Sequence, residues 1–138
     1  MNLQRAIEIA KKAHQDQVDK AGKAYIEHLK TLASHVETED EKILAYLHDL
    51  IEDTSWTLKD LREEGLAEEL ILSLDLLTKR QGQDYFIYLK NIKKNQLART
   101  IKLVDLKHNS DLSRLDQVTE KDLKRVEKYK KAMAYLKE

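Results

Sequence analysis

The chain has no cysteine, no proline, only three glycines and no net charge at pH 7. Without cysteine it forms neither disulfides nor thiolate zinc sites, so any bound metal must be held by histidine and carboxylate. The 25 basic and 25 acidic residues cancel, which leaves no overall charge to attract duplex nucleic acid or an anionic membrane. No apolar run reaches membrane-spanning length, and the N-terminus has no signal-peptide pattern. We therefore expect a cytoplasmic protein without membrane or duplex nucleic acid partners, and the sequence leaves its oligomeric state open.

Size and periodicity are typical of one helical domain. With 138 residues, 41% hydrophobic and 36% charged, the chain is long enough for a core and too apolar for a disordered segment. Apolar residues recur three and four positions apart almost throughout, which predicts helices, and no strand pattern stands out. Thr38 and Thr119 begin sequences typical of capping boxes. We predict a single all-α domain over residues 1–138, with about eight helices near 2–18, 25–36, 39–53, 58–65, 66–77, 85–92, 96–112 and 120–138.

Four titratable side chains lie within six residues of the third predicted helix, which is otherwise apolar. His48 and Asp49 form one doublet, and Glu52 and Asp53 form a second doublet one turn later. Burying such groups without partners costs roughly 2–7 kcal/mol each, so they need a partner, and a divalent metal is a suitable one. The second doublet is then placed to orient or deprotonate a water at the metal.

The remaining ligands of such a metal must come from neighbouring helices. His28 lies early in the second predicted helix, and Asp105 lies within an apolar stretch of the seventh that calls for a partner. Together with His48 and Asp49 they give two imidazoles and two carboxylates. This mixed nitrogen and oxygen set suits manganese, iron, zinc or cobalt better than magnesium.

Each of these residues also has an ordinary structural interpretation. A lone helical histidine such as His28 is commonly hydrogen-bonded or at the surface, Glu52 can pair with a lysine, and Asp53 can end a helix. Spacing alone therefore leaves both a metal site and a metal-free helical bundle open.

Four segments of the chain occur in a specific order. They are Ala13–Gln17 (AHQDQ), Lys20–His28 (KAGKAYIEH), His48–Thr54 (HDLIEDT) and Lys102–Asn109 (KLVDLKHN). Together they closely resemble the HD-domain hydrolase part of the RelA/SpoT family, including its small stand-alone hydrolases. The resemblance extends from the first helix to about Leu115 and so covers most of the chain.

The resemblance implies an all-helical HD-domain bundle and a metal-dependent phosphohydrolase. Members of the family remove the 3′-pyrophosphate of guanosine tetra- and pentaphosphate, with a metal-activated water attacking the 3′-phosphorus. The implied cofactor is one divalent transition metal, Mn²⁺ first, and the implied partner is a nucleotide substrate. The matching residues are His28, His48, Asp49 and Asp105 for the metal, Glu52 and Asp53 for catalysis, and Lys20, Lys79 and Asn109 for the substrate.

Three positions depart from the family pattern, and they concern the substrate rather than the metal. Asp19 stands where the family has an arginine that packs on the guanine base, and a carboxylate cannot make that contact. Leu29 replaces a proline, and Leu112 replaces a hydroxyl residue near the ribose. A different nucleotide or phosphorylated cofactor therefore stays open as substrate, as does a non-catalytic module that binds a nucleotide or a protein partner.

Overall fold

The computed structural model describes residues 1–138, and its regular structure is helical apart from one isolated antiparallel bridge between Val18 and Ala24. The all-α class predicted from apolar spacing is confirmed. None of the helices combines the length and hydrophobicity needed to cross a membrane. The elements are α1 (Leu3–Ala13), α2 (Tyr25–Ser34), α3 (Glu39–Leu47), α4 (Leu50–Asp53), α5 (Leu58–Glu63), α6 (Glu68–Leu77), α7 (Tyr85–Lys93), α8 (Gln96–Asn109), a 3₁₀ turn (Leu112–Arg114) and α9 (Glu120–Lys137).

The third predicted helix is broken at the first polar doublet. A continuous helix is expected there, but α3 and α4 are separated by His48 and Asp49. Asp49 has φ −102° and ψ 0°, so the backbone leaves the helical path at this residue. The Nδ1 of His48 lies 2.8 Å from the carbonyl oxygen of Ala45, the oxygen that would accept the amide of residue 49 in an unbroken helix. A side chain that competes for a helical carbonyl accounts for the break.

The centre of the bundle is formed by α3 and α8. Residues 43–47 of α3 are all buried, as expected for a helix that is apolar on every side. α3 packs against α1, α2, α6 and α8, and α8 packs against α2, α3, α6, α7 and α9. One cluster of 27 buried hydrophobic residues draws on all nine helices. Because α2, α3 and α8 pack against one another, polar residues at their contacts come close together.

Two helices end earlier than their apolar spacing predicts. α1 ends at Ala13, and the chain then turns through a loop closed by the bridge between Val18 and Ala24. Gly22 in this loop has a φ of 80°, a left-handed conformation that favours glycine. α8 ends at Asn109 before the 3₁₀ turn. The loop after α1 and the turn after α8 contact each other through Asp19 and Arg114.

Candidate metal centre

Two histidines and two carboxylates meet where α2, the break after α3, and α8 converge. His28 Nε2 lies 3.0 Å from Asp105 Oδ1, and His48 Nε2 lies 3.4 Å from the same oxygen. His48 Nε2 also lies 3.0 Å from Asp49 Oδ2. Candidate ligand atoms of His28, His48 and Asp49 all lie within 4.8 Å of one another. The fold therefore brings together the four side chains that the sequence predicts as metal ligands.

The protonation of His48 tests whether this cluster suits a cation. Its Nδ1 lies 2.8 Å from the carbonyl oxygen of Ala45, and a carbonyl only accepts, so Nδ1 carries the proton. The other nitrogen, Nε2, is buried without a hydrogen-bond partner although oxygens of Asp49 and Asp105 are nearby. A bare lone pair that faces carboxylate oxygens calls for a cation between them. The backbone bond to Nδ1 is the usual way in which a metal-binding histidine is oriented.

His28 is oriented by a second histidine. Its Nδ1 lies 2.6 Å from Nδ1 of His108, and the two rings stack with centroids 4.8 Å apart. Burial, followed by the charges of Arg114 and His28, lowers the pKa of His108 to about 4. His108 is therefore neutral at pH 7, and its Nδ1 can accept a hydrogen bond from the Nδ1–H of His28. This leaves Nε2 of His28 for the cluster.

The two carboxylates of the cluster have opposite pKa shifts. Burial, together with the charges of Asp105 and Asp53, raises the pKa of Asp49 well above its usual range. Burial also opposes the ionisation of Asp105, but the charge of His48 and hydrogen bonds from His28 and His48, when these rings carry a second proton, together with Lys102 outweigh it and hold the pKa of Asp105 well below its usual range. A proton and a metal ion are therefore alternative cations at the same histidine nitrogens. A divalent cation would favour the ionised form of both groups.

The second doublet lies at the rim of this cluster. Glu52 and Asp53 are both exposed. Glu52 Oε1 accepts the backbone amide of Lys79 at 2.6 Å, so this side chain turns toward the segment after α6. Asp53 lines a cavity of about 510 Å³ that Lys12 of α1 also lines. Both carboxylates lie close enough to raise the pKa of Asp49 by their charge.

The three residues predicted to bind substrate are distributed around the cluster. Asn109 Nδ2 donates to Asp105 Oδ1 at 3.0 Å and so contacts a candidate ligand. The ammonium group of Lys20 lies 5.9 Å from the ring centroid of Tyr129. Lys79 follows α6, and its backbone amide rather than its side chain makes the contact to the second doublet. The structure therefore groups only Asn109 with the cluster itself.

Two residues without a role in the sequence interpretation also lie beside the cluster. Lys102 Nζ is 3.5 Å from Asp105 Oδ2 and 5.3 Å from the Tyr88 ring centroid. Tyr129 lies on α9, where it recurs with apolar residues at helical spacing, a pattern that predicts core packing alone. Burial raises its pKa, which Lys102 and Asp105 also influence by charge. The spacing of Lys102 and Asp105 by three residues is a usable sequence signal, whereas Tyr129 depends on the packing of α8 against α9.

Asp19, one of the three departures from the family pattern, stabilises the loop after α1. Its Oδ1 accepts the backbone amides of Ala21 and Lys23 at 2.9 and 3.1 Å. Its Oδ2 accepts a hydrogen bond from Nη2 of Arg114 at 2.5 Å. Arg114 also donates a hydrogen bond to the carbonyl oxygen of His108 at 3.0 Å. Both oxygens of Asp19 are therefore engaged within the protein.

The fold has a solved counterpart. This structure matches one described as "A metazoan ortholog of SpoT hydrolyzes ppGpp and plays a role in starvation responses", with a TM-score of 0.79. The match covers 97% of this chain and 84% of the other chain at 19% identity. The match shows a shared fold, the all-helical bundle of HD domains.

Sequence similarity is more specific than the fold. The chain is 36% identical over 117 residues to the guanosine-3′,5′-bis(diphosphate) 3′-pyrophosphohydrolase of Haemophilus influenzae, a match that covers 73% of this chain. The chain spans 17% of the length of that relative. No protein-family model matches the chain. The chain is therefore similar to enzymes that hydrolyse ppGpp.

Proposed function

We propose that this chain is a metal-dependent phosphohydrolase that removes the 3′-pyrophosphate of guanosine 3′,5′-bispyrophosphate. The observation that carries the proposal is the bare, buried Nε2 of His48, which faces carboxylate oxygens of Asp49 and Asp105. The names of the two relatives support the choice of substrate, because one is a 3′-pyrophosphohydrolase of this nucleotide and the other is described as hydrolysing ppGpp.

In this proposal His28, His48, Asp49 and Asp105 hold one divalent transition metal, with Mn²⁺ as the expected ion. A metal bound there supplies a Lewis acid for a phosphoryl oxygen and lowers the pKa of water. The chain prepares the ligands in advance. A backbone carbonyl orients His48, and Asn109 donates to the Oδ1 of Asp105.

Glu52 and Asp53 are the proposed catalytic residues. They orient the attacking water and accept its proton as its oxygen bonds to the 3′-phosphorus. The bond between this phosphorus and the ribose 3′-oxygen breaks, the 3′-oxygen takes up a proton, and the products are GDP and pyrophosphate. Since both carboxylates are exposed, the accepted proton can pass to solvent.

Lysines around the cluster are the proposed contacts for the phosphates. Lys79 and Arg80 line a cavity of about 520 Å³ together with Glu52. Lys20 lies on the loop after α1, and its ammonium group is near the ring of Tyr129. We therefore assign phosphate binding to Lys20 and Lys79, which bring positive charge to two sides of the cluster.

A different phosphorylated nucleotide or cofactor is the second candidate substrate. The observation that favours it is the ion pair between Asp19 and Arg114, which stands where the family resemblance leads us to expect a base-stacking arginine. The metal cluster is unaffected by this change, so the chemistry would be the same while the base differs.

The test is incubation of the purified chain with guanosine 3′,5′-bispyrophosphate and Mn²⁺, beside a panel of other nucleotides and phosphorylated cofactors. We expect GDP and pyrophosphate from the first substrate, with no turnover by His48→Ala. Turnover of another panel member alone would support the second candidate. No turnover at saturating metal, while a known hydrolase is active in the same assay, refutes the proposed activity.

A further inference from the structure

A buried imidazole near the metal centre has one nitrogen that no protein group engages. His14 is 1% exposed. Its Nδ1 lies 2.9 Å from Oε1 of Gln17, and because an amide oxygen only accepts, Nδ1 carries the proton. Nε2 therefore keeps a lone pair, and it is buried without a hydrogen-bond partner. Buried acceptors of this kind are usually satisfied by an ordered water or a ligand.

The position of His14 connects it with the second doublet. It follows α1 directly, and its neighbour Ala13 lines the same cavity as Asp53. Burial lowers the pKa of His14, while the charge of Asp53 raises it and that of His48 lowers it, so the ring lies within electrostatic reach of both residues. The ring also packs against Tyr25, with centroids 4.9 Å apart.

We propose that His14 is a positioning residue for Asp53. A water donates one hydrogen to Nε2 of His14 and the other to the Asp53 carboxylate, so that one molecule satisfies two acceptors. Asp53 is exposed and sits at the end of the short helix α4, so a bridge of this kind would limit the directions that its carboxylate takes. The hydrogen bond from Nδ1 to Gln17 stabilises the loop after α1, and Nε2 remains available for the water that bridges to Asp53. The effect on turnover rests on the proposed function.

Two substitutions at His14 separate positioning from loop support. In His14→Asn, the side-chain amide lies near the position of Nδ1 and can contact Gln17, but no atom replaces Nε2. In His14→Gln, the longer side chain brings its amide to the position of Nε2. We expect His14→Asn to lower kcat by up to about tenfold, since the water that holds Asp53 loses its hydrogen bond to Nε2, with KM and Mn²⁺ affinity unchanged. His14→Gln is expected to stay within about threefold of the unmodified chain, because its amide replaces part of that bond. Any other order of kcat in the two variants overturns the proposal.

A second measurement does not depend on turnover. The ring nitrogens of His14 are followed by ¹⁵N NMR in the full chain and in Asp53→Ala, with the exposed His35 as the control. We expect the Nε2 resonance of His14 to shift when Asp53 is removed, while its Nδ1 and the ring of His35 do not. An unchanged Nε2 resonance overturns the proposal. Absence of alarmone turnover by the unmodified chain would instead refute the proposed function, and this result would still stand.

Discussion

Binding of Mn²⁺ is predicted to raise the melting temperature of the chain, and His48→Ala is predicted to abolish the rise. The candidate ligands come from α2, α8 and the break between α3 and α4, so the site exists only in the folded chain. A ligand that binds only the folded state shifts the unfolding equilibrium by mass action. His48 is the chosen position because its Nε2 is the buried nitrogen without a protein partner.

The size of the shift follows from chain length. At a free metal concentration one hundred times Kd, binding stabilises the folded state by about 2.7 kcal/mol. An unfolding entropy of about 2 cal/mol/K per residue gives a chain of 138 residues about 0.3 kcal/mol/K. The melting temperature should therefore rise by about 9 °C.

The assay is thermal unfolding, followed by circular dichroism, of chelator-treated protein with and without Mn²⁺. The matched control is His35→Ala, which removes an exposed histidine and should keep the full shift. An equal shift in His48→Ala and in the unmodified chain would refute the assignment of His48. The absence of a shift with Mn²⁺, Fe²⁺, Co²⁺ and Zn²⁺ alike would refute the metal centre itself.

Three further perturbations probe catalysis, ionisation and packing. Glu52→Gln and Asp53→Asn should each lower kcat about a hundredfold or more while the Mn²⁺ shift in melting temperature is kept, since they remove proton acceptors and not ligands; loss of the metal shift would contradict this. Burial raises the pKa of Tyr88 to about 12, above the unfolded value of about 10, so the folded state keeps a proton that the unfolded state loses. The contribution of Tyr88 to stability should therefore be kept in full below pH 10 and fall by up to about 3 kcal/mol as the pH rises through 12, and denaturant unfolding of Tyr88→Phe should show a smaller loss of stability over this pH range than the unmodified chain. Leu44→Ala empties a fully buried position of α3 and should cost about 2–5 kcal/mol in urea unfolding, whereas a cost below about 1 kcal/mol would contradict the packing described.

The four candidate ligands illustrate what local sequence can predict. His48 and Asp49 stand out because titratable residues interrupt a buried helix, and Asp105 stands out for the same reason. His28 has no such signal by itself, since a lone helical histidine is common. Its place beside Asp105, 77 positions away, comes from the packing of α2 against α8. The order of motifs, more than any single spacing, pointed to that contact.

Contacts that depend on backbone detail could not be predicted. Apolar spacing continues through the break after α3, and only the hydrogen bond from the His48 ring to the Ala45 carbonyl oxygen explains why the helix stops there. Glu52 was open to pairing with a lysine, and it does contact Lys79, but through the backbone amide. A backbone amide is present whatever side chain stands at position 79, so the sequence does not indicate this bond.

The contact between His28 and Asp105 also bears on a chain that has no cysteine. An ion held by both residues would join two points 77 positions apart along the chain, as a covalent cross-link would. In the chain-entropy treatment, closing a loop of that length removes unfolded-state freedom worth about 4.5 kcal/mol at 25 °C. Unlike a disulfide, this link would not respond to redox conditions and would be opened by a chelator. The concentration of metal, and not the redox state of the surroundings, would then determine how strongly the contact between α2 and α8 stabilises the folded chain.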